Sequence, residues 1–359
     1  MISKIVTLGD VCNKGSSNIA QKDLVDRDGI YPIYGAAGYI KNVDFAHQDK
    51  PYLAVVKDGA GIGRVMKLPA NSSIIGTMQY ILPKGNIDID YLYFALQYMN
   101  LSKYFSGSTI PHIYFRDYQK EKLPLPELSE QQGKAYVLLR IEQLIECYRQ
   151  QLTKLDELVK SRFVEMFIGK GYPTKTVDEV SLTKGEYGAQ SASVEYDPTR
   201  PRYVRITDIN DDGTLNDDVV ASINPADDEQ YKLVYGDFMF ARMGATVGKT
   251  YAFIEGNQIF AGYLIRYRLN REIINPRYLF WYTRLDEYWN WVKLNQSGAA
   301  QPGINAKKYG SLQIPLPPID EQEQFATFVE QTDKSKLVVQ QSLEKLETLK
   351  KSLMQKYFG

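Results

Sequence analysis

The sequence predicts an α+β protein of two tandem, pseudo-repeated globular domains, each followed by a long helix, with the two helices pairing as an antiparallel coiled coil. Three observations lead there: an internal repeat offset by 191 residues, a proline-punctuated non-helical segment at the end of each globular part, and a heptad stripe beyond it. Ser106-Gly107, Pro111, Leu123-Pro124-Leu125-Pro126 and Glu130-Gln131 recur in order as Ser297-Gly298, Pro302, Ile314-Pro315-Leu316-Pro317 and Glu321-Gln322. The match continues from Lys154-Leu155-Asp156-Glu157-Leu158 to Lys345-Leu346-Glu347-Thr348-Leu349, and from Phe167 to Phe358. A period this long marks a duplicated domain, because solenoid repeats run to about 20–50 residues. The expected segments are globular parts at 1–128 and 169–319 and helices at 129–168 and 320–359.

The helices follow from local chemistry. Each proline of residues 123–126 removes a backbone donor and biases its neighbour towards extended structure, so helix begins only afterwards. Ser129 reads as an N-cap with Gln132 at N3, and Asp320 opens the second helix with Glu323 at N3. Apolar residues then step by three and four at Leu138, Ile141, Ile145, Tyr148, Leu152, Leu155 and Val159. The repeat offset gives Val329, Thr332, Lys336, Val339, Leu343 and Leu346, where polar Thr332 and Lys336 are expected to loosen the seam. One helix lying on a core is the plainer reading of such a stripe. At about 38 residues and 57 Å each, however, these helices exceed an ordinary surface helix, so two seams in one chain are expected to pack together.

In the globular parts, Tyr52–Val56 and Phe238–Ala241 read as buried strands leading into glycine loops, Gly59-Ala60-Gly61-Ile62-Gly63-Arg64 and Gly244-Ala245-Thr246-Val247-Gly248-Lys249. A dinucleotide loop needs a helix directly after its glycines; Arg64–Pro69 reads as strand, so a tight hairpin is expected, its backbone free to approach a phosphate. Residues 87–101 and 274–288 read as matching helices. Asn275-Pro276-Arg277-Tyr278 is similar to the Asn-Pro-Pro-aromatic motif of amino-methyltransferases, but arginine replaces the second proline, and a helix start with Pro276 in the first turn fits better. The parts open differently, with Tyr31-Pro32-Ile33-Tyr34-Gly35-Ala36 in one and Val204-Arg205-Ile206-Thr207-Asp208-Ile209 in the other.

Composition excludes several classes. Of 359 residues, 44% are apolar and 24% charged, ordinary for a globular protein, and no apolar run reaches the ~18 residues of a spanning helix. Met1–Ile5 lacks a signal-peptide pattern, so a cytoplasmic location is expected. Two cysteines and two histidines make a zinc site implausible, and no Ser/His/Asp arrangement recurs in both halves. The 43 basic and 43 acidic residues cancel; the four segments carry +2, 0, −1 and −1, so any nucleic-acid face is local.

In this order, twice, these motifs resemble the specificity subunits of Type I restriction–modification systems, over nearly the whole chain. The resemblance implies target-recognition domains at 1–128 and 169–319 and spacer helices at 129–168 and 320–359. It implies a non-catalytic subunit that binds double-stranded DNA with a bipartite target, one half-site per domain. Its partners would be two modification (methyltransferase) subunits that methylate adenine, with restriction subunits as an optional addition. The chain itself would hold no cofactor; S-adenosylmethionine, ATP and Mg would sit on partner subunits. The implied DNA-binding positions are Tyr34, Lys57, Arg64, Thr109 and His112 in the first domain. In the second they are Arg205, Arg242, Thr246, Lys249, Gln301 and Asn305. Two other readings are an autonomous DNA adenine methyltransferase, which lacks its cofactor loop here, and a coiled-coil scaffold that binds only protein.

Overall fold

The structure, a computed structural model, describes residues 4–59, 61–107, 111–223, 229–298 and 302–359. The chain forms two compact units: residues 1–151 with 339–359, and residues 152–338. Two 40-residue helices, Leu128–Phe167 and Ile319–Phe358, each contribute one segment to each unit.

In the first unit, Cys12–Ser16, Met78–Pro83, Tyr52–Val56 and Val65–Leu68 form a four-stranded antiparallel sheet in that order. The second unit repeats it with Glu186–Tyr187, Leu264–Arg268, Asp237–Ala241 and Thr250–Ala252. Both central strands are buried throughout, which is why they read as continuous apolar runs. The short strands before the long helices pair antiparallel with the start of each globular part, Lys4–Thr7 with Lys122–Leu125 and Thr174–Thr176 with Gln313–Pro315.

The Gln of each repeated Glu-Gln pair has a structural reason. Gln131 is buried; its Oε1 accepts from Asp88 N at 2.9 Å, and its Nε2 donates to Asn86 O at 3.2 Å and Pro126 O at 2.9 Å. Gln322 repeats the set with Asn275 N at 2.9 Å, Ile273 O at 3.1 Å and Pro317 O at 2.8 Å. Asp88 and Asn275 are the N-caps of helices Ile89–Met99 and Pro276–Tyr282, so each glutamine fastens a long helix to a short one. Tyr91 and Tyr278 add matching bonds to Pro124 O and Pro315 O, at 2.9 and 2.5 Å.

The expected capping boxes do not form. The helices begin one residue earlier, where the carbonyls of Glu127 and Pro318 accept the first helical N–H groups and the glutamine amides fasten the turns. Residues 274–288 are also not one helix: Pro276–Tyr282 stops and Asp286–Asn295 begins afresh. Thr283 Oγ1 there bonds Thr250 Oγ1 at 2.8 Å, and the Arg284 guanidinium bonds Thr250, Thr283 and the Asp212 carbonyl. These contacts hold the break; burial pushes the Arg284 pKa down to about 10.

Within each unit the long-helix segments run antiparallel. Lys350 pairs with Glu142 at 2.6 Å and Arg149 with Glu347 at 2.7 Å in the first; Lys336 pairs with Asp156 in the second. The seam residues Leu138, Ile141, Ile145, Val159 and Val329 are buried, and Tyr148, Leu152, Leu155, Val339, Leu343 and Leu346 half-buried. At the two polar seam positions the Thr332 hydroxyl donates to Phe328 O of its own helix at 2.9 Å, and Lys336 pairs with Asp156 of the facing helix. Among the described residues no helix is long and apolar enough to cross a membrane.

Candidate nucleic-acid interface

The buried strand of each unit ends in a cation. Lys57 follows Val56, and Arg242 follows Ala241. From there both chains enter the glycine loop and turn back into the sheet. Gly63 N bonds Val56 O at 2.8 Å, and Gly248 N bonds Ala241 O at 3.1 Å. Both glycines have positive φ, 81° and 90°. A Cβ would lie 2.6 Å from Ser102 N in one and 2.9 Å from Trp289 and Val292 in the other, so no other residue fits either turn. The hairpin expected from the sequence is therefore what forms, with strands Val65–Leu68 and Thr250–Ala252 after it.

The repeated polar loop packs beside the hairpin through the same main-chain bonds in both units. Gly59 N bonds Pro111 O at 2.9 Å, and Gly244 N bonds Pro302 O at 2.9 Å. Ile113 N bonds Lys57 O, and Ile304 N bonds Arg242 O, each at 3.0 Å. Ser106 bridges His112 as Ser297 bridges Gly303. Lys57, Arg64 and His112 of the first unit thus belong to one loop cluster, and Arg242 and Thr246 of the second to its counterpart; Tyr34 lies on the neighbouring strand Tyr31–Gly35.

The side chains are deployed differently. In the first unit His112 Nδ1 contacts the Asp58 carboxylate, Lys57 Nζ lies 4.0 Å from the same group, and the His112 ring lies 4.1 Å from that of exposed Tyr114. Ser106 Oγ donates to the backbone carbonyl of His112, not to its ring. Half-buried Tyr34 stands edge-on to Tyr39 at 6.2 Å, and its hydroxyl pKa is raised by burial. Exposed Arg64 donates to Ala36 O in the neighbouring hairpin turn.

In the second unit Lys249 bonds Ile209 O at 3.1 Å and Asp211 at 2.8 Å, so the cations closing both glycine loops tie them to the opening segment of their domain. Arg242 lies 4.9 Å from the Tyr187 ring and 5.5 Å from that of Tyr263, and its Nε donates to Gly262 O at 3.1 Å. Thr246 Oγ1 donates to Met243 O at 3.1 Å. Arg205 is held elsewhere, bidentate on buried Asp208 at 2.8 and 3.1 Å, with a further bond to Val219 O. Asn305 caps the helix Ala306–Gly310 by accepting from Lys308 N at 2.9 Å. Ala60, Thr109 and Gln301 lie outside the described residues. Sequence reasoning missed Asp58, Tyr114, Tyr187 and Tyr263, which reach the clusters through sheet register or an adjacent loop, with no signal at their own positions.

Comparison with known proteins agrees with this duplicated frame. The family profile for the Type I restriction modification DNA specificity domain matches residues 3–157 and again 174–348. The MjaVIII specificity subunit, from a Type I restriction enzyme of Methanocaldococcus jannaschii, is 24% identical over 324 residues, spanning 83% of this chain and 76% of that protein. The crystal structure of the Type I S subunit from M. genitalium superposes with a TM-score of 0.65 at 15% identity, over 99% of this chain and 96% of the other. A chain from a structural study of Type I complex assembly and conformational transition gives 0.55 at 15% identity, over 99% and 97%. The chain belongs to the family of Type I restriction–modification specificity subunits, non-catalytic subunits that recognise DNA sequence.

Proposed function

We propose that this chain reads a bipartite DNA target, one half-site per unit, and positions two adenine-methylating subunits on it, with restriction subunits joining as further partners. The observation that carries this reading is one main-chain loop frame built twice with unlike side chains. Such a frame holds two reading surfaces in similar geometry while letting each recognise different bases. Lys57, His112 and Tyr114 would face one half-site, and Arg242 and Thr246 the other. S-adenosylmethionine, ATP and Mg would belong to the partner subunits. The exposed apolar residues Tyr136, Val137 and Leu144 on the first long helix are suited to a protein partner, since charged residues would otherwise be the norm there.

The test is to co-express the chain with its methyltransferase subunits and map methylated adenines across the host genome. Methylation within a split motif, two short specific parts separated by unspecified bases, is the expected result. Methylation without sequence preference would leave only the protein-binding scaffold reading and would refute DNA recognition by this chain.

A further inference from the structure

The Arg242 side chain stands in an arrangement that its counterpart lacks. Strand register aligns Ser16 with Tyr187, since they pair with Gln79 and Ile265, which face the penultimate residues Val55 and Phe240 of strands Tyr52–Val56 and Asp237–Ala241. It also aligns Thr77 with Tyr263, whose carbonyls accept from Lys57 N and Arg242 N, at 3.0 Å in both units. The second unit therefore places two tyrosines where the first has serine and threonine, and arginine where the first has lysine.

Each part of this set restricts the guanidinium. Tyr187 and Tyr263 lie 4.9 and 5.5 Å from its carbon, and the Tyr187 hydroxyl is itself anchored, accepting from Ala306 N at 3.2 Å. Nε is committed to Gly262 O. Among the described residues no carboxylate lies within 4.0 Å of Arg242, and neither terminal nitrogen has an acceptor. Met243 and Gly303 occupy the positions at which the first unit has Asp58 and His112, so the acid that approaches Lys57 has no equivalent here. The side chain is half-buried and its two aromatic neighbours are exposed, so the free edge is reachable.

We infer that Arg242 is the guanine-reading side chain of the second unit, held by Tyr187 and Tyr263 so that its two terminal nitrogens present a parallel fork to O6 and N7 in the major groove. This rests on the DNA-reading function proposed above. A planar fork with two free donors matches that base edge, whereas lysine, a rotatable point charge, cannot reproduce it. The aromatic faces orient the cation without neutralising it, as an acid would.

The test is the methylation motif of the co-expressed complex carrying Arg242→Lys, beside the unaltered complex and Tyr263→Ala. The unaltered complex should show a guanine in one half-site. Arg242→Lys should lose roughly tenfold to a hundredfold preference at that one base pair and keep the other half-site intact, the intact half showing that the protein is folded. Tyr263→Ala should weaken preference at the same base pair by a smaller factor. An unchanged motif in Arg242→Lys, or a uniform loss across all sequences, overturns base reading by Arg242 in favour of a phosphate contact, which lysine's retained charge would preserve. Absence of any split motif in the unaltered complex refutes the proposed function itself, a result distinct from either.

Discussion

In the first unit, Lys57 is approached by Asp58, which also holds His112; in the second, the same backbone positions carry Arg242, Met243 and Gly303, and the cation is flanked by tyrosines. The hydrogen bonds beneath are the same pairs of N–H and C=O groups in both. Main-chain bonds are indifferent to side-chain identity, so the frame persists while the exposed chemistry diverges. A second pair of regions differs in the same way. Where the long helices meet the core of the second unit, Phe163, Phe167, Phe325 and Tyr278 form an aromatic cluster with ring separations of 5.0 to 5.6 Å. The repeat places Met354, Phe358, Lys134 and Tyr91 at those positions in the first, leaving one aromatic contact of the set, Tyr91 with Phe358 at 5.0 Å.

The largest expected effect separates these two junctions. Phe325→Ala should cost about 3–5 kcal/mol of second-unit stability, as loss of a buried phenylalanine does. Lys134→Ala, at the matching position, should cost less than about 1 kcal/mol, because it removes a partly exposed pair with Glu130. Denaturant unfolding followed by tryptophan emission reports the second unit, since Trp281, Trp289 and Trp291 all lie there; circular dichroism follows both. Equal costs would mean that the aromatic cluster does not distinguish the junctions.

A mid-sized effect tests what the units share. Gln131→Ala and Gln322→Ala each remove the partner of a part-buried N–H, a part-buried carbonyl and a buried carbonyl, and each should destabilise its unit by about 1–3 kcal/mol. A normal midpoint in either variant would show that the repeated fastening is not structural in that unit.

Legibility followed the same division. The duplication, the buried strands, the hairpin after the glycines and the helical stripes were readable because they rest on periodicity and on glycine and proline geometry. The helix starts were displaced by one residue because buried glutamines, a tertiary feature, settle them. The break after Tyr282 depends on Arg284 reaching residues 212 and 250, contacts that no local pattern announces. At the loops, the sequence could not tell which cations the fold itself engages. Arg205 and Lys249 meet aspartates, whereas Tyr187 and Tyr263 become Arg242's neighbours only through strand register.

The smallest effect concerns the acidic groups just beyond the strands Lys4–Thr7 and Thr174–Thr176. Asp10 and Glu179 accept from the hydroxyls and backbone N–H groups of Thr7 and Thr176, at 2.7 to 2.8 Å, and these bonds hold both carboxyls below their usual range. A folded-state pKa below the unfolded one contributes stability that is present above the unfolded value and lost as pH falls through the folded one. In Thr7→Ala and Thr176→Ala, NMR titration should find each carboxyl moved up towards its ordinary value, with a slight loss of stability at neutral pH that disappears in acid. Unmoved titrations would assign the shifts to the backbone N–H groups, which alanine retains.

The most direct measurement exchanges residues 1–128 for the corresponding domain of another specificity subunit and maps methylated adenines in the co-expressed complex. Independent reading by the two units requires one half of the motif to change while the other half keeps its sequence. A motif altered in both halves would contradict it.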